Sequence, residues 1–222
     1  MMQVAEEKEI AGNRLSSPTD ISFLCATVTV TPFSGFPKTV VIDFGTGCTA
    51  PNGIRRSGII RMVISDSLRR PGSTVVMTFE NYFINAFKKE AKITWTNTST
   101  SVTRSWRRQV ADGKITAPGG RYWLHSSLKE IVQTDGLTTP RIPFDDIFII
   151  TGTGSVTNTN GITRTSSITE PLQKKVNCRF IDRGRIRFQG TNHFALLDFG
   201  NGTCDNAATI SIDGNPPRSI TL

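Results

Sequence analysis

The tripeptide Asp-Phe-Gly occurs twice, in VVIDFGTGC (residues 40–48) and in LLDFGNGTC (residues 196–204). In protein kinases this tripeptide supplies the aspartate that binds catalytic magnesium. A kinase also needs a His-Arg-Asp catalytic loop, which the sequence lacks. We therefore interpret Asp43 and Asp198 as turn residues that accept backbone hydrogen bonds, each followed by a core phenylalanine and a glycine with positive φ.

Two further groups of residues are of types that perform catalysis, but neither forms a recognised motif. His125 stands beside Ser126 and Ser127, yet no Gly-x-Ser-x-Gly elbow occurs and no acidic partner is marked. Asp145 and Asp146 could bind Ca²⁺ or act as a glycosidase pair, whose carboxylates lie about 5–10 Å apart. Adjacent residues of a strand point to opposite faces, so we expect a poor pair. The sequence predicts no catalytic residue, metal site or cofactor.

Arginines on two segments are candidates for binding an anionic ligand. RFIDRGRIRF (residues 179–188) would place three arginines on one face of an extended strand, unless Gly184 interrupts it. In RSWRRQ (residues 104–109), alternation places Arg107, the second of three arginines, on the face opposite Arg104, Trp106 and Arg108. Arginine with tryptophan suits acidic sugars, lipopolysaccharide phosphates or stacked bases, although the same arginines could simply solubilise an edge strand. The candidates are Arg183, Arg185, Arg187, Arg104, Trp106, Arg107 and Arg108.

The composition of the 222-residue chain indicates a folded, basic and β-rich protein. Hydrophobic residues make up 37% and charged residues 20%, and Thr, Ser, Gly, Asn and Val are abundant. The net charge of +8 would attract polyanions, although no long run of like charge occurs and the charge could be spread over solvated faces. No apolar stretch is long enough for a transmembrane helix. The polar N-terminus lacks a signal-peptide core, so either the protein is cytosolic or an export signal lies outside this chain.

The four cysteines predict two disulfide bonds. None belongs to a Cys-x-x-Cys pair and the chain has only two histidines, so a structural zinc site is not expected. Three pairings are possible, and in one of them the midpoint of each pair falls in a turn-forming stretch, FSGFPK (33–38) or QGTNH (189–193). Each pair would then face across the base of an antiparallel hairpin in an oxidising compartment. Four free thiols in a cytosolic protein are the alternative. The predicted bonds are Cys25–Cys48 and Cys178–Cys204.

Alternating apolar residues and frequent turn signals predict an all-β, antiparallel meander. It could form a rolled sheet, a sandwich or a barrel-like body, with the two related cysteine hairpins near its two ends. We expect one β domain over residues 21–222 after a polar tail or linker, residues 1–20; two β lobes, about 21–116 and 117–222, are the alternative. Hairpins are predicted at the Asp-Gly and Asn-Gly dipeptides, with a type I′ turn at Asn-Gly, and a glycine turn in TGTG. Helical periodicity is weak and confined to WLHSSLKEIV (residues 123–132) and the N-terminal tail.

Four segments together resemble a family of exported, β-rich Bacteroidetes proteins that includes many lipoproteins. The resemblance runs in order over roughly residues 25–222 and implies an exported, often lipid-anchored protein of the cell envelope. It implies no activity or site residue. The N-terminus shows no lipobox cysteine, so any anchor would lie outside this chain. The segments are FPKTVVIDFGTGCTAPNGIRRSGIIRMVIS (36–65), VVMTFENYFIN (75–85), DDIFIITGTGSVTNTNGITRTSSITEPL (145–172) and LLDFGNGTCDNAATISIDG (196–214).

The expected function is a non-enzymatic binding or structural module of the periplasm or cell surface. Its expected partner is a glycan or an envelope protein; nucleic acid is not expected in an exported protein, and membrane association would come only through a lipid anchor outside this chain. One alternative is a polysaccharide hydrolase that uses Trp95, Trp106, Tyr122 and Trp123 as a sugar platform. The other is a binder of acidic glycan or lipopolysaccharide through the arginine ladder of residues 183–187.

Overall fold

A computed structural model describes residues 25–139 and 141–222, so the predicted tail lies outside the described residues. Within these ranges the regular structure consists of β-strands and a 3₁₀ turn at Pro143–Asp145. None of the described residues form a helix long and apolar enough to cross a bilayer. The strands are β1 (Thr27–Thr31), β2 (Lys38–Asp43), β3 (Cys48–Thr49), β4 (Arg55–Ile64), β5 (Thr74–Ile84), β6 (Phe87–Asn97), β7 (Arg104–Thr116), β8 (Tyr122–Asp135), β9 (Ile147–Asn158), β10 (Thr163–Lys175), β11 (Arg183–Gln189), β12 (Phe194–Asn201), β13 (Ala207–Ile212) and β14 (Arg218–Thr221).

The strands form one antiparallel sheet in chain order, apart from short β3, which pairs with β4 beside the main path. β1 and β14 are its two edges and do not pair, so the sheet is open. The predicted all-β meander is therefore confirmed. The sandwich and barrel alternatives are wrong, since the described strands make their main contacts with neighbours in this one sheet. β7 and β8 pair from Arg104↔Gln133 to Thr116↔Tyr122, so the sheet continues across the boundary between the two lobes considered above.

The hairpin predictions are confirmed where both turn residues lie outside the ladders. Asp213 and Gly214 both have positive φ, at 53° and 78°, in the β13–β14 loop. The Asn160-Gly161 hairpin also forms, but its type I′ assignment is wrong: Gly161 has φ of 76° and Asn160 is not among the residues with positive φ, whereas a type I′ turn needs both.

Three local predictions fail because neighbouring strands override them. Asp112-Gly113 is a bulge inside β7, with Asp112 at φ of 51°, and the chain reverses later, where the N–H of Ala117 donates to the carbonyl of Arg121. The glycines of TGTG lie within continuous β9 and form no turn. WLHSSLKEIV is strand β8 and not helix, since it pairs with β7 and β9 on its two sides.

Bulges curve the sheet so that its N-terminal half buries a core on one face. Register shifts interrupt the pairing from β4 to β8. At Gly58, with φ of 80°, a Cβ atom would lie 2.1 Å from the carbonyl oxygen of Asn81, so only glycine permits this approach. Bulges bend and twist strands, which allows one sheet to enclose apolar side chains. The core residues are Val28, Val40, Ile42, Phe44, Ile60, Met62, Ile64, Met77, Tyr82, Ile93 and Val110. We call the face that carries Val40, Met62, Met77, Ile93 and Val110 the inner face, and the opposite face the outer face.

Both predicted disulfides are present, and each flanks one hairpin. The Cα atoms are 5.9 Å apart in Cys25–Cys48 and 5.6 Å apart in Cys178–Cys204. Their predicted placement on opposed ladder positions is wrong: Cys25 precedes β1, Cys48 lies in β3, and the second pair joins the β10–β11 and β12–β13 loops. Two disulfides indicate an oxidising extracellular or periplasmic environment.

The two Asp-Phe-Gly segments make the same local hydrogen bond. The N–H of Gly45 donates to the Asp43 carboxylate at 2.7 Å, and that of Gly200 donates to the Asp198 carboxylate at 2.8 Å. Both phenylalanines are buried. No cluster of three metal-binding side chains occurs in the described part of the chain. The turn interpretation is confirmed for Asp43, which ends β2, whereas Asp198 makes its hydrogen bond within strand β12.

Candidate anion-binding site

The structure divides the seven candidate arginine and tryptophan residues between two faces of the sheet. Arg104, Trp106 and Arg108 lie on the inner face of β7, because they pair with Gln133, Ile131 and Lys129 of β8. Arg107 points to the outer face, as alternation predicted. The arginines of β11 lie four strands away, about 19 Å at the usual strand spacing. The candidates therefore do not form one binding surface.

The predicted arginine ladder of β11 is not a free cationic row. Arg185 donates to Glu170 and Asp198, both at 2.7 Å, and Arg187 lies 4.1 Å above the Phe194 ring. These contacts raise the pKa of Arg185, chiefly through its hydrogen bond to Asp198. Only Arg183 is exposed, and a register shift at Gly184 separates it from the rest. On the outer face of β7, Arg107 is likewise paired, at 2.6 Å, with Glu130. The ladder hypothesis is corrected accordingly: carboxylates pair with Arg185 and Arg107, Arg187 lies over an aromatic ring, and Arg183 is separated from Arg185 and Arg187.

Three cationic side chains and a histidine lie together on the inner face, where β6, β7 and β8 run side by side. Arg108 on β7 is directly opposite Lys129 on β8. His125 shares that face of β8, since it precedes Lys129 by an even number of residues. Lys89 on β6 pairs with Ile115 on β7, which pairs with Trp123 on β8. Lys89 therefore lies on the same face as Trp123 and His125. We call this group the basic cluster: Lys89, Arg108, His125 and Lys129.

The basic cluster rests on aromatic side chains at the border of the core. The Lys89 ammonium lies 4.8 Å from the centroid of the Phe79 ring, and the Arg108 guanidinium 5.7 Å from that of Trp95. Phe79 and Trp95 pack in turn against the buried core. The apolar parts of the Lys89 and Arg108 side chains are therefore covered while their charged ends stay at the surface. Cation–π attraction holds these two side chains in place.

The cations of the cluster repel one another. Burial lowers the pKa of Lys89 and of Lys129, and the charge of Arg108 lowers both further. Burial, followed by the charges of Arg108, Lys129 and Lys89, lowers the pKa of His125. Within the described residues, Lys89, His125 and Lys129 form no salt bridge. Uncompensated cations on a partly buried face are typical of a site that binds an anion.

A row of small residues lies inside the cluster. Ser127 lies between His125 and Lys129 on β8, and direct pairs join it to Gly154 and Ser166 on the next two strands. A Cβ atom on Gly154 would lie 3.4 Å from Cβ of Ser127 and 3.1 Å from Oγ of Ser166, so the side chains pack closely here and a larger residue would be crowded. The Ser127 hydroxyl is buried and has no hydrogen-bond partner among the described residues. A buried hydroxyl without a hydrogen-bond partner costs free energy. A ligand oxygen that accepted a hydrogen bond from it would remove that cost.

Four glutamates of the central strands lie on the outer face. Glu80, Glu130 and Glu170 form ion pairs with arginines there, and Glu90 pairs with Lys88 at 3.0 Å. These glutamates offset cations of the outer face and not those of the basic cluster. This distribution raises the positive potential at the basic cluster.

The residues considered for nucleophilic catalysis are not assembled for it. Ser126 bonds to Ser155 at 2.8 Å and belongs to the outer face, opposite His125 and Ser127. Activation of a serine requires a hydrogen bond to the histidine base, and the described structure has none between His125 and Ser127. His125 and Ser127 instead lie next to each other on the inner face of β8.

The expectation that Asp145 and Asp146 point apart is wrong. A Cβ atom on Gly136 would lie 2.0 Å from one Asp146 oxygen and 3.1 Å from one Asp145 oxygen, so both carboxylates approach the same glycine. The pair precedes β9, where strand alternation does not yet apply. Burial, and then the charge of Asp145, raises the pKa of Asp146, which accepts a hydrogen bond from Gln133 at 2.8 Å. Asp146 is buried and Thr139 bonds to Asp145, so the pair holds the β8–β9 loop and faces no cleft.

The described pockets lie elsewhere. The larger, about 440 Å³, is a shallow outer-face crevice beside Arg185 and the β13–β14 loop, and its arginine already has two carboxylate partners. The smaller adjoins it at the turn after β12. An open sheet face such as the basic cluster is not a pocket, and so it is recognised by its charge and its orphaned hydroxyl.

Sequence reasoning identified Arg108 and missed the rest of the basic cluster. Once residues 123–132 are known to form a strand, the alternation in LHSSLKE places His125, Ser127 and Lys129 on one face, which was the available signal. Comparison with family models, curated proteins and solved structures finds no match to this chain. The resemblance to exported Bacteroidetes proteins therefore stays a prediction.

Proposed function

We propose that this protein is a non-enzymatic binding module that holds an anionic group of its ligand on the basic cluster. The observation that carries the proposal is the orphaned, buried hydroxyl of Ser127 between His125 and Lys129, neither of which forms a salt bridge among the described residues. An oxyanion would accept hydrogen bonds from Ser127 and from the nearby ammonium groups, and would relieve the repulsion between the charged groups.

The site that we propose serves the cell envelope, in the periplasm or at the cell surface. The disulfides require an oxidising compartment, which supports export. The resemblance to exported Bacteroidetes lipoproteins supports the envelope, with any lipid anchor outside this chain. Envelopes are rich in phosphorylated and acidic molecules, which suits a binding face of uncompensated positive charge.

Replacing Lys129 with Gln is expected to weaken binding of inorganic phosphate about tenfold, because a hydrogen bond to a charged group contributes about 1.5–3 kcal/mol. Chemical-shift titration of the backbone amides would measure the dissociation constant and locate the ion at β8 and β9. Lys92→Gln is the matched control, since Lys92 is an exposed lysine on the outer face of β6. Equal weakening by both substitutions would show attraction to net charge alone and would refute the site.

Replacing Ser127 with Ala separates the ligand from the fold. The unbound protein is expected to keep its free energy of unfolding or to gain up to about 2 kcal/mol, because an unsatisfied buried hydroxyl is removed. Phosphate affinity is expected to fall severalfold. Urea denaturation and the same titration provide the two readouts. Loss of stability with unchanged phosphate affinity would assign Ser127 to packing and contradict the proposal.

A further inference from the structure

Beyond the basic cluster, the inner face carries large apolar side chains that the fold leaves half-exposed. Their exposure ranges from 36% to 52%, whereas the inner-face core residues of the N-terminal strands are at most 9% exposed. Scattered exposed apolar residues are ordinary, but these share one face and surround one group of cations. We call them the apolar strip: Ile115, Trp123, Val156, Phe188 and Ile212.

The pairing of the strands connects the apolar strip to the basic cluster. Ile115 is opposite Trp123, two residues from His125, and Val156 is opposite His125 itself. Phe188 and Ile212 continue the row that begins at Ser127, through the pairs Ser166↔Phe188, Phe188↔Ala195 and Ala195↔Ile212. This row crosses from β8 to β13, about 24 Å at the usual strand spacing. A ligand held at Ser127 would therefore extend directly along an apolar surface.

We propose that the ligand is an amphiphile, with an anionic head on the basic cluster and a hydrocarbon chain along the apolar strip. This inference rests on the proposed function, since it names the class of ligand for the same site. One acyl chain occupies about 15 Å of a bilayer, half of the hydrocarbon thickness, so the row is long enough to hold it. Burial of the chain would cover surface that is otherwise exposed to water.

Two other occupants fit the surface less well. The inner face of a second copy of this chain carries the same cations, so it would supply no anionic partner for the basic cluster. A sugar needs polar partners along its whole length, and of the strip residues only Trp123 carries a hydrogen-bonding group. The polar groups concentrate at one end, in the basic cluster, with exposed Arg164 opposite Val156 as a further cation. This polarity matches a molecule with one charged end.

Titration with methyl, butyl and octyl phosphate, below the micelle concentration, tests the inference. Affinity is expected to rise about tenfold from methyl to butyl phosphate and further to octyl phosphate, since each fully buried methylene contributes about 0.8 kcal/mol and the strip covers roughly half of the chain. Val156→Thr keeps the shape and β-branching of the side chain and is expected to reduce this gain while leaving methyl phosphate unchanged. Val63→Thr, on an outer-face valine of similar exposure, is the matched control.

Each outcome of this titration decides one question. Equal affinity for the three phosphates, with Lys129-dependent binding, would overturn the amphiphile and keep the anion-binding function. Tighter binding of glucose 6-phosphate than of octyl phosphate would also overturn it, in favour of an acidic glycan. No binding of any phosphate would refute the proposed function itself. A gain with chain length that Val156→Thr reduces and Val63→Thr does not would support the inference.

Discussion

Replacing Cys178 and Cys204 together with Ser is expected to lower the free energy of unfolding by about 3 kcal/mol. The bond closes a segment with a sequence separation of 26 residues, and a loop of that length gives about this stabilisation through the entropy of the unfolded chain. Urea denaturation of the oxidised wild type and of the variant, at equal protein concentration, would measure the difference. Added reductant is expected to remove the difference between the wild type and the variant, because it breaks both bonds of the wild type and the Cys25–Cys48 bond that the variant retains.

The same bond also encloses buried charge, which makes the expected loss larger than the entropy alone. Asp182 is almost fully buried in the β10–β11 loop, where its carboxylate lies 3.1 Å from the Lys175 ammonium and 3.2 Å from the Gln173 amide. Without the bond, the loop is freer to shift while the sheet stays folded, which would separate Asp182 from Lys175 and Gln173. Separating a buried ion pair that stays shielded from water lowers the free energy of unfolding.

The N-terminal bond provides the control. The sequence separation of Cys25–Cys48 is 23 residues, so the entropic effect of Cys25→Ser with Cys48→Ser is about the same, and no buried carboxylate lies in its loop. The C-terminal pair is therefore expected to cost more. A loss below about 1 kcal/mol for both pairs would contradict a stabilising role for the bonds. Phosphate binding at the basic cluster is expected to persist in both variants, since neither bond contacts β8.

The strands and disulfides could be predicted because local signals and chain spacing determine them. The midpoint of each cysteine pair coincides with the loop of a real hairpin, β1–β2 or β11–β12. Asp43 and Asp198 each accept a hydrogen bond from the glycine two residues later, so a short segment contains the whole interaction. Such features need no knowledge of which strands become neighbours across the sheet.

The basic cluster could not be predicted in this way, because it depends on the register of three strands. A bulge at Asp112 shifts the pairing so that Val110↔Ser127 is followed by Gly113↔His125. The segment of β8 also resembles a helix, since Leu124, Leu128 and Ile131 follow helical spacing. Two adjacent strands supply hydrogen bonds along its length and override that weak preference. The arginines of β11 could be located from the sequence, but not the carboxylates of Glu170 and Asp198 that pair with Arg185.

The charge pattern itself supports function over stability. Uncompensated cations weaken the fold, and residues that break a local rule without structural benefit concentrate at functional sites. The outer face shows that the same sheet can pair its charges: Arg61 with Glu80, and Arg107 with Glu130. Among the described residues, Lys89, His125 and Lys129 form no such pair. That contrast favours a ligand as their counter-charge.

Sulfate binding is expected to weaken about tenfold or more between pH 5 and pH 10. In the unbound protein the pKa values of His125, Lys89 and Lys129 are lowered, so each group loses its proton at a lower pH than it would in water. A bound anion favours the protonated forms and raises each pKa again, so binding takes up protons and its affinity falls as pH rises. A hydrogen bond to a charged group contributes about 1.5–3 kcal/mol, so the loss of one such bond weakens binding about tenfold or more. Sulfate keeps its charge over this range, so the titration reports the protein alone.

Substitution of individual groups would assign each part of the pH profile to a residue. The groups that face His125 are the ones to consider. They are Arg108 on β7, Lys89 on β6, Lys129 on β8 and Arg164 two strands away, while Val156 and Gly154 on β9 are uncharged. His125→Gln is expected to flatten the profile below about pH 8, near the usual range of histidine, and Lys129→Gln the part above it. The unbound protein is expected to lose stability as pH falls through these lowered pKa values, and sulfate to restore it. Affinity that is constant with pH, or that rises with it, would show that these cations do not hold the anion.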